Sequence, residues 1–332
     1  MNFPTDKRMD FVVVVDVTEG NPNGDPMRNN TPRTDPYDGH GLITDVCIKR
    51  KVRDYLTDEG QEMLITREPV SINDLLCQVA KTCDPPETKG KKDGGKKGKL
   101  GQAQGEVRAV AVCKRFIDAR LFGAMAETGD CPAGRIRGPL QLSMGRSLHP
   151  VRISKHQVVR VAVTDDKELE KPGTMSDEHG RQIIRYAAYR MVGTYSPRMG
   201  AKTGVSADDL NLFFTALQRC WARDRASARG VMGCRGIWIA IHETEDGLCH
   251  ASDTHNAVRV TMPATATSWD EATVKLERGQ RGVTWHYFGW DGLELATLHH
   301  EHFPKAPVVA GSATATGAAP EGWGTPSQPE GW

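Results

Sequence analysis

Between Cys131 and Thr164 the chain carries Arg135, Arg137, Arg146, Arg152, Lys155 and Arg160 but no Asp or Glu. A run of cations without counter-charge attracts an anion, and guanidinium groups recognise phosphate through paired, charge-assisted hydrogen bonds. Within the run, Leu140, Leu142 and Met144 alternate with Pro139, Gln141 and Ser143, the period of a strand buried on one face. The polar face would offer the Gln141 amide and the Ser143 hydroxyl between Arg137 and Arg146, with Lys155 further along. The same residue types also fit a solvated strand with surface arginines.

A second group of cations lies just after residue 44. Thr44 is placed to cap a helix through Leu56, Asp45 favours its first turn, and at 100° per residue Ile48, Val52, Tyr55 and Leu56 form one stripe. Lys49, Arg50 and Arg53 form a cationic stripe beside it, suited to phosphate or simply to solvent. The preceding segment, Asn21 to Gly41, is dense in Gly, Pro, Asn and Asp and is read as irregular loop. Asn21, Asn23 and Gly24 suit close backbone approach to a phosphate, a contact that Arg33 and His40 would complete. Asp25, Asp35, Asp38 and Asp45 crowd the same region. Carboxylates bind divalent metal, but Asp-Pro and Asp-Gly are also ordinary turn formers, and an acid at Asp45 suits a helix N-terminus. His299, His300 and His302 have no partner at ligand spacing, so no metal site is expected there. No Walker, Rossmann or nucleophile-elbow motif is present, and neither a cofactor nor a catalytic residue is expected.

The elements that must position these groups follow from periodicity. Phe11 to Val17 is β-branched and nearly all apolar, a central strand buried on both faces. The helix at Thr44 follows, then irregular sequence from 58 to about 105. Within it, Thr88 to Gly101 holds six Lys against one Asp, a flexible loop. The spacing predicts a helix over 107–126, the strand within 137–146, and an excursion over 147–184 with a basic first half and an acidic second half. A strand over 185–195 comes next. Ser206 to Asp209 starts a helix carrying Leu210, Phe213, Phe214, Leu217 and Trp221 on one stripe. A strand over 236–242 and weaker strands over 285–290 and 294–297 complete the order, and from Pro304 onward composition predicts disorder. Strand, helix, strand, strand, helix, strand is the βαββαβ arrangement shared by ferredoxin-like folds and RNA-recognition domains.

Asn21-Pro-Asn-Gly-Asp-Pro26, Pro32-Arg33-x-Asp35-Pro36 and the run Gly39 to Arg53 resemble the N-terminal signature of the backbone subunit of type I-C CRISPR Cascade complexes, in the Cas-seven superfamily. The likeness continues through Arg137 to Leu142, Tyr195 to Gly204 and Ala228 to Gly236, and spans roughly residues 10–260. The resemblance implies an α+β protein with a ferredoxin-like, RRM-like palm (10–57, 131–146 and 185–303), an inserted fingers domain (58–130) and a thumb hairpin (147–184), followed by a tail (304–332). It also implies a non-catalytic protein that multimerises as a filament along a guide crRNA and presents it to target DNA. Its partners would be the five-type cap, the large subunit and the small subunit of the complex. Arg198, Lys202 and Arg235, in the later blocks, and Asn21, Asn23, Gly24 and Thr44, in the first, join the expected RNA contacts on this basis. The rival reading is a metal-dependent endoribonuclease, because related type III subunits cut RNA with an Asp in the loop after the first strand.

Composition bounds the rest. A chain of 332 residues with net charge +1 has no overall polyanion bias, so local patches decide its partners. Its eight cysteines contain no Cys-x-x-Cys pair, so reduced thiols in a cytoplasmic protein are expected rather than a zinc ribbon or disulfide framework. The apolar run at Phe11 is too short for a signal segment, and no stretch reaches membrane-spanning length.

Overall fold

A computed structural model describes residues 3–84, 102–127, 129–156, 159–160, 175–176, 180–277, 280–288 and 296–297. Strand β1 (Met9–Gly20) is the axis of the sheet, because its first nine residues are all buried and both its edges are paired. After it come β2 (His40–Ile43), α1 (Asp45–Asp58), α2 (Ile72–Cys83), α3 (Gln102–Arg115) and α4 (Ile117–Phe122). Next are β3 (Leu140–Leu142), β4 (Gly145–Pro150), β5 (Ile153–His156) and β6 (Arg181–Tyr195). The chain continues through α5 (Pro197–Thr203), α6 (Ala207–Arg223), β7 (Val231–His242), α7 (Ala251–Ala257), β8 (Val283–Phe288) and β9 (Ala296–Thr297). The sheet is antiparallel in the order β9-β8-β7-β1-β6-β4-β2, with β3 and β5 also laid along the long strand β6.

Alternation along β1 feeds two cores. Phe11, Val13, Val15 and Val17 pack with α1 and α6, where Phe11, Phe213 and Phe214 meet edge to face with centroids 5.1–5.9 Å apart. Val12 and Val14 face the other way, toward Trp238, Trp285 and α7. The paired segments Val258–Thr261 and Thr273–Leu276 add to that second layer. A third cluster, built from Leu75, Leu76, Val79, Val112 and Phe116, gives the segment between α1 and β3 a core of its own.

The helix starts are the residues the sequence pointed to. Thr44 accepts the amide of Cys47, and Ser206 and Asp209 cap each other's backbone reciprocally. Four expectations need correction. The helix over 107–126 is instead α3, α4 and a strand, Gly123–Ala126, because Phe116 turns extended to enter the third core and the Ile117 amide bonds to Glu62. The strand over 137–146 is β3 and β4, split where the Ser143 hydroxyl accepts the Val192 amide, which leaves Met144 exposed. Pro150 pairs with His40 and His156 with Arg181, so the sheet claims part of the segment read as excursion. Cys77 and Cys131 form a disulfide between α2 and the loop before β3, joining residues 54 apart in a chain expected to hold only thiols. The loop after β1 is also more ordered than its composition suggests, with Gly24–Asp25 paired to Thr31–Pro32 around a short 3-10 turn. The lysine-rich loop 88–101, His299, His300, His302 and the tail 304–332 lie outside the described residues. Among the described residues no helix is long and apolar enough to cross a membrane.

Candidate nucleic-acid interface

The end of β1 and the turn before β7 touch only because both are glycine. A Cβ on Gly20 would lie 1.8 Å from the Arg229 carbonyl, and Gly230 adopts φ +66°. This contact lets the Asn21 amide donate to Ala228 at 2.9 Å, laying the loop after β1 over residues 226–229. The Asn21 side-chain amide then donates to Asn30 at 2.6 Å, and Asn23 Oδ1 accepts the Thr44 amide and hydroxyl at 2.9 and 3.0 Å. The loop is thereby tied to the cap of α1. Between them opens a cleft of about 390 Å³ whose lining includes Asn21, Asn23, Gly24, Thr44, Arg50 and Arg229.

Its electrostatics centre on Asp224, just after α6. That carboxylate is gripped by Lys51 and Arg229 and lies 3.0 Å from Arg50, which also holds Asp54 at 2.8 Å. Burial pushes the Asp224 carboxyl up, but the Lys51 hydrogen bond and the neighbouring cations outweigh it and hold the group below its ordinary value. Three cations against the two carboxylates of Asp224 and Asp54 leave the hub positive beside the cleft, and the Asn21 Oδ1 atom is buried without a partner.

A second hub fixes the turn before β2. Arg146 bridges Asp35, at 2.7 Å, and Asp38, while His40 Nδ1 lies 3.0 Å from Asp38. Both carboxyls are lowered, Asp35 chiefly by Arg146 and Asp38 chiefly by the His40 amide. Asp25 caps the 3-10 turn and lies 3.5 Å from Arg33, and Asp45 holds Lys49 at 3.1 Å. The four acids of the metal reading are each committed to internal partners. Among the described residues no group of three His, Cys, Asp or Glu is placed to share a metal ion.

The remaining expected contacts are dispersed. Arg137 and Gln141 line a different depression, of about 690 Å³, with Arg135, Ile65 and Met125. Gln141 donates to Gly138 and Ser143 is occupied by Val192 and Met144, so neither polar group stands ready between Arg137 and Arg146. Arg53 points at buried Asp118, 2.8 Å away, rather than along a solvent stripe. Arg198 bridges Glu245 and Asp246, and Arg235 holds Asp16 at 2.8 Å. Among the described residues no carboxylate pairs with Arg137, Lys155 or Lys202. Sequence reasoning missed Lys51, Asp224 and Arg229. Lys51 sits three residues after Ile48 and four before Tyr55, inside the apolar stripe, which marks it as a buried lysine needing an acid.

The chain is similar to several known proteins. A protein of Haloferax volcanii named CRISPR-associated protein Cas7 is 25% identical over 273 residues, 76% of this chain and 75% of that one. A chain of a CRISPR RNA-guided surveillance complex, pre-nicking, is 13% identical with a TM-score of 0.49, covering 79% of this chain and 84% of its own. A chain of another CRISPR RNA-guided surveillance complex is 14% identical with a TM-score of 0.39, covering 70% and 68%. Residues 7–277, from just before β1 through the second core layer, match the family described as CRISPR-associated protein Cas7, and the chain belongs to that family.

Proposed function

We propose that this chain is a non-catalytic, guide-RNA-binding backbone subunit of a type I-C CRISPR Cascade complex. The observation that carries the reading is the cleft at α1, where the first and last of the sequence blocks that resemble that subunit close on one positive site. The strand order β7-β1-β6-β3, with α1 and α6 packed on one face, supports a ferredoxin-like palm. The separate third core supports an inserted fingers domain over 58–130. The thumb is then the part of 147–184 beyond the His156–Arg181 pair. Phosphate and ribose contacts would hold the guide without reading its sequence, leaving bases free to pair with target DNA. Copies of the chain would repeat along the guide beside the cap, large and small subunits, in the cytoplasm. Co-expression with a guide and those partners, followed by absorbance ratio and gel, tests this: a discrete RNA is expected, and a monomer free of nucleic acid overturns it.

Replacing Arg50 and Arg229 together by Ala should weaken guide binding equally for every guide sequence. It should also flatten the log–log salt slope by about 1.4, roughly 0.7 for each phosphate that the variant no longer neutralises on a single strand. An unchanged slope in titrations of a labelled guide would remove the cleft from the interface.

Replacing residues 157–180 with a short Gly-containing turn should preserve the sheet, because His156 and Arg181 already face each other as a hairpin end would. Multimerisation along the guide should be lost. Light scattering that still finds particles of full mass would place the repeat contact elsewhere.

A further inference from the structure

We infer that the depression over Arg135 and Arg137 is the docking site for this chain's own C-terminal segment, which ends in two copies of Pro-Glu-Gly-Trp. The copies are Pro320 to Trp323 and Pro329 to Trp332, nine residues apart. After Pro304 their Glu321 and Glu330 are the only acids, and their tryptophans the only aromatic residues. Negative charge and apolar bulk in that segment are thus concentrated in one repeated tetrapeptide. The receiving surface is a ribbon in which Gly123–Ala126 pairs with Gly134–Arg137, Met125 opposite Arg135 and Gly123 opposite Arg137. Opposed residues share a face and alternate residues return to it, so Arg135, Arg137 and Met125 stand on one side. The other side is the anchor, because Ala126 and Ile136 are buried in the third core. Both arginines are exposed, and among the described residues neither has a carboxylate partner. Around them the depression is apolar: Met125 is 69% exposed, Ile65 44% and Ile72 46%, and Met199 adds to the lining.

Spacing and reach both match. In an extended peptide a Glu and the Trp two residues on face the same way about 6.7 Å apart, which is also the separation of Arg135 from Arg137 along their strand. The carboxylate then meets one guanidinium, and the indole lies against the other with the Met125 thioether beside it. The glycine between Glu and Trp lets the peptide backbone approach closely. Thr297, in β9, lies on one rung of the main sheet with His286, Ile239, Phe11, Gly193 and Leu142, and Gln141 beside Leu142 lines the depression. The steps between neighbouring strands along that rung amount to about 24 Å. Pro320 is 23 residues beyond Thr297. A coil of that length has a root-mean-square span of about 24–29 Å. A tether whose span matches the distance gives its motif the highest effective concentration, on the order of millimolar, so a modest contact keeps the site filled.

The docking does not depend on the proposed function and is tested on the full-length chain without guide. A labelled peptide of residues 318–332 is titrated against the chain carrying Trp323→Ala and Trp332→Ala, in which the depression is open. It should bind that variant about tenfold or more tighter than the unaltered chain, whose tethered copies compete. Adding Arg135→Glu and Arg137→Glu to the open variant should weaken binding about tenfold or more. A peptide with Glu321→Lys and Glu330→Lys should recover binding to that charge-reversed variant, and unchanged urea midpoints show that the fold is kept. Equal peptide binding to the open and unaltered chains, or binding that ignores both charge reversals, overturns the inference, as does no binding at all. A light-scattering mass that rises with concentration for the unaltered chain, and not for the tryptophan variant, would overturn it in favour of a second copy as the receiver. A uridine oligonucleotide that displaces the peptide at equal concentration would overturn it in favour of nucleic acid.

Discussion

Replacing Asp224 by Ala is expected to lower the stability of the free chain by about 3–5 kcal/mol, because it strands a buried charge. Lys51 has no exposed side-chain surface, and its ammonium lies 5.6 Å from the centre of the Trp221 ring, inside the packing of α1 on α6. In the unfolded chain that ammonium is hydrated, whereas in the variant it is left without the acid that compensates burial. Arg50 keeps Asp54 and Arg229 is partly exposed, so neither adds a comparable cost. Lys51→Met combined with Asp224→Asn should restore most of the loss, since an unbranched apolar side chain fills the channel without charge. Urea midpoints at constant slope measure both effects. A single-variant loss under about 1 kcal/mol would mean that Lys51 reaches water when its partner is gone.

How much of this was legible differs by element, for physical reasons. The caps at Thr44 and Ser206 were readable because capping is local chemistry within four residues. The central strand was readable because a segment buried on both faces has to be apolar throughout. Helix α2 was also within reach, since Ser71 and Asp74 precede Leu75, Leu76, Val79 and Ala80, but the surrounding irregular sequence hid it. What sequence did not show is which cation meets which acid. Arg146 answers Asp35 and Asp38 across more than a hundred residues, and Asp118 receives Arg53 together with the amides of Leu64 and Ile65. Basic residues that look free for phosphate in a linear reading are therefore mostly committed. The Cys77–Cys131 bond was illegible for the same reason: it depends on a tertiary approach that no local spacing encodes.

Two acids on one face of β1 should shift stability with pH in opposite directions. Asp10 is buried and receives Arg8 at 2.6 Å, Thr254 at 2.7 Å, and His242 and Thr194 at 2.9 Å. Burial raises its carboxyl, but the His242, Arg8 and Thr254 bonds outweigh that and hold it well below the ordinary range. Asp16, six residues on, is equally buried; among the described side chains Arg235 and Tyr186 hold it, and burial outweighs them, so its carboxyl is raised. For Asp10 the folded value lies below the unfolded one, near 3.9, so its contribution is complete above that pH and fades as pH falls toward the folded value. For Asp16 the folded value lies above, so its contribution is present in acid and is lost as pH rises through the folded value. Asp10→Asn is thus expected to cost about 3 kcal/mol near neutrality, the cost of breaking a buried pair, and progressively less below about pH 4. Asp16→Asn is expected to be neutral or stabilising near neutrality, with that advantage shrinking in acid. Urea midpoints from about pH 3 to about pH 8 should give difference curves of opposite slope for the two variants. Parallel curves would mean that Arg235, the more exposed partner, neutralises Asp16 as completely as the closed network neutralises Asp10.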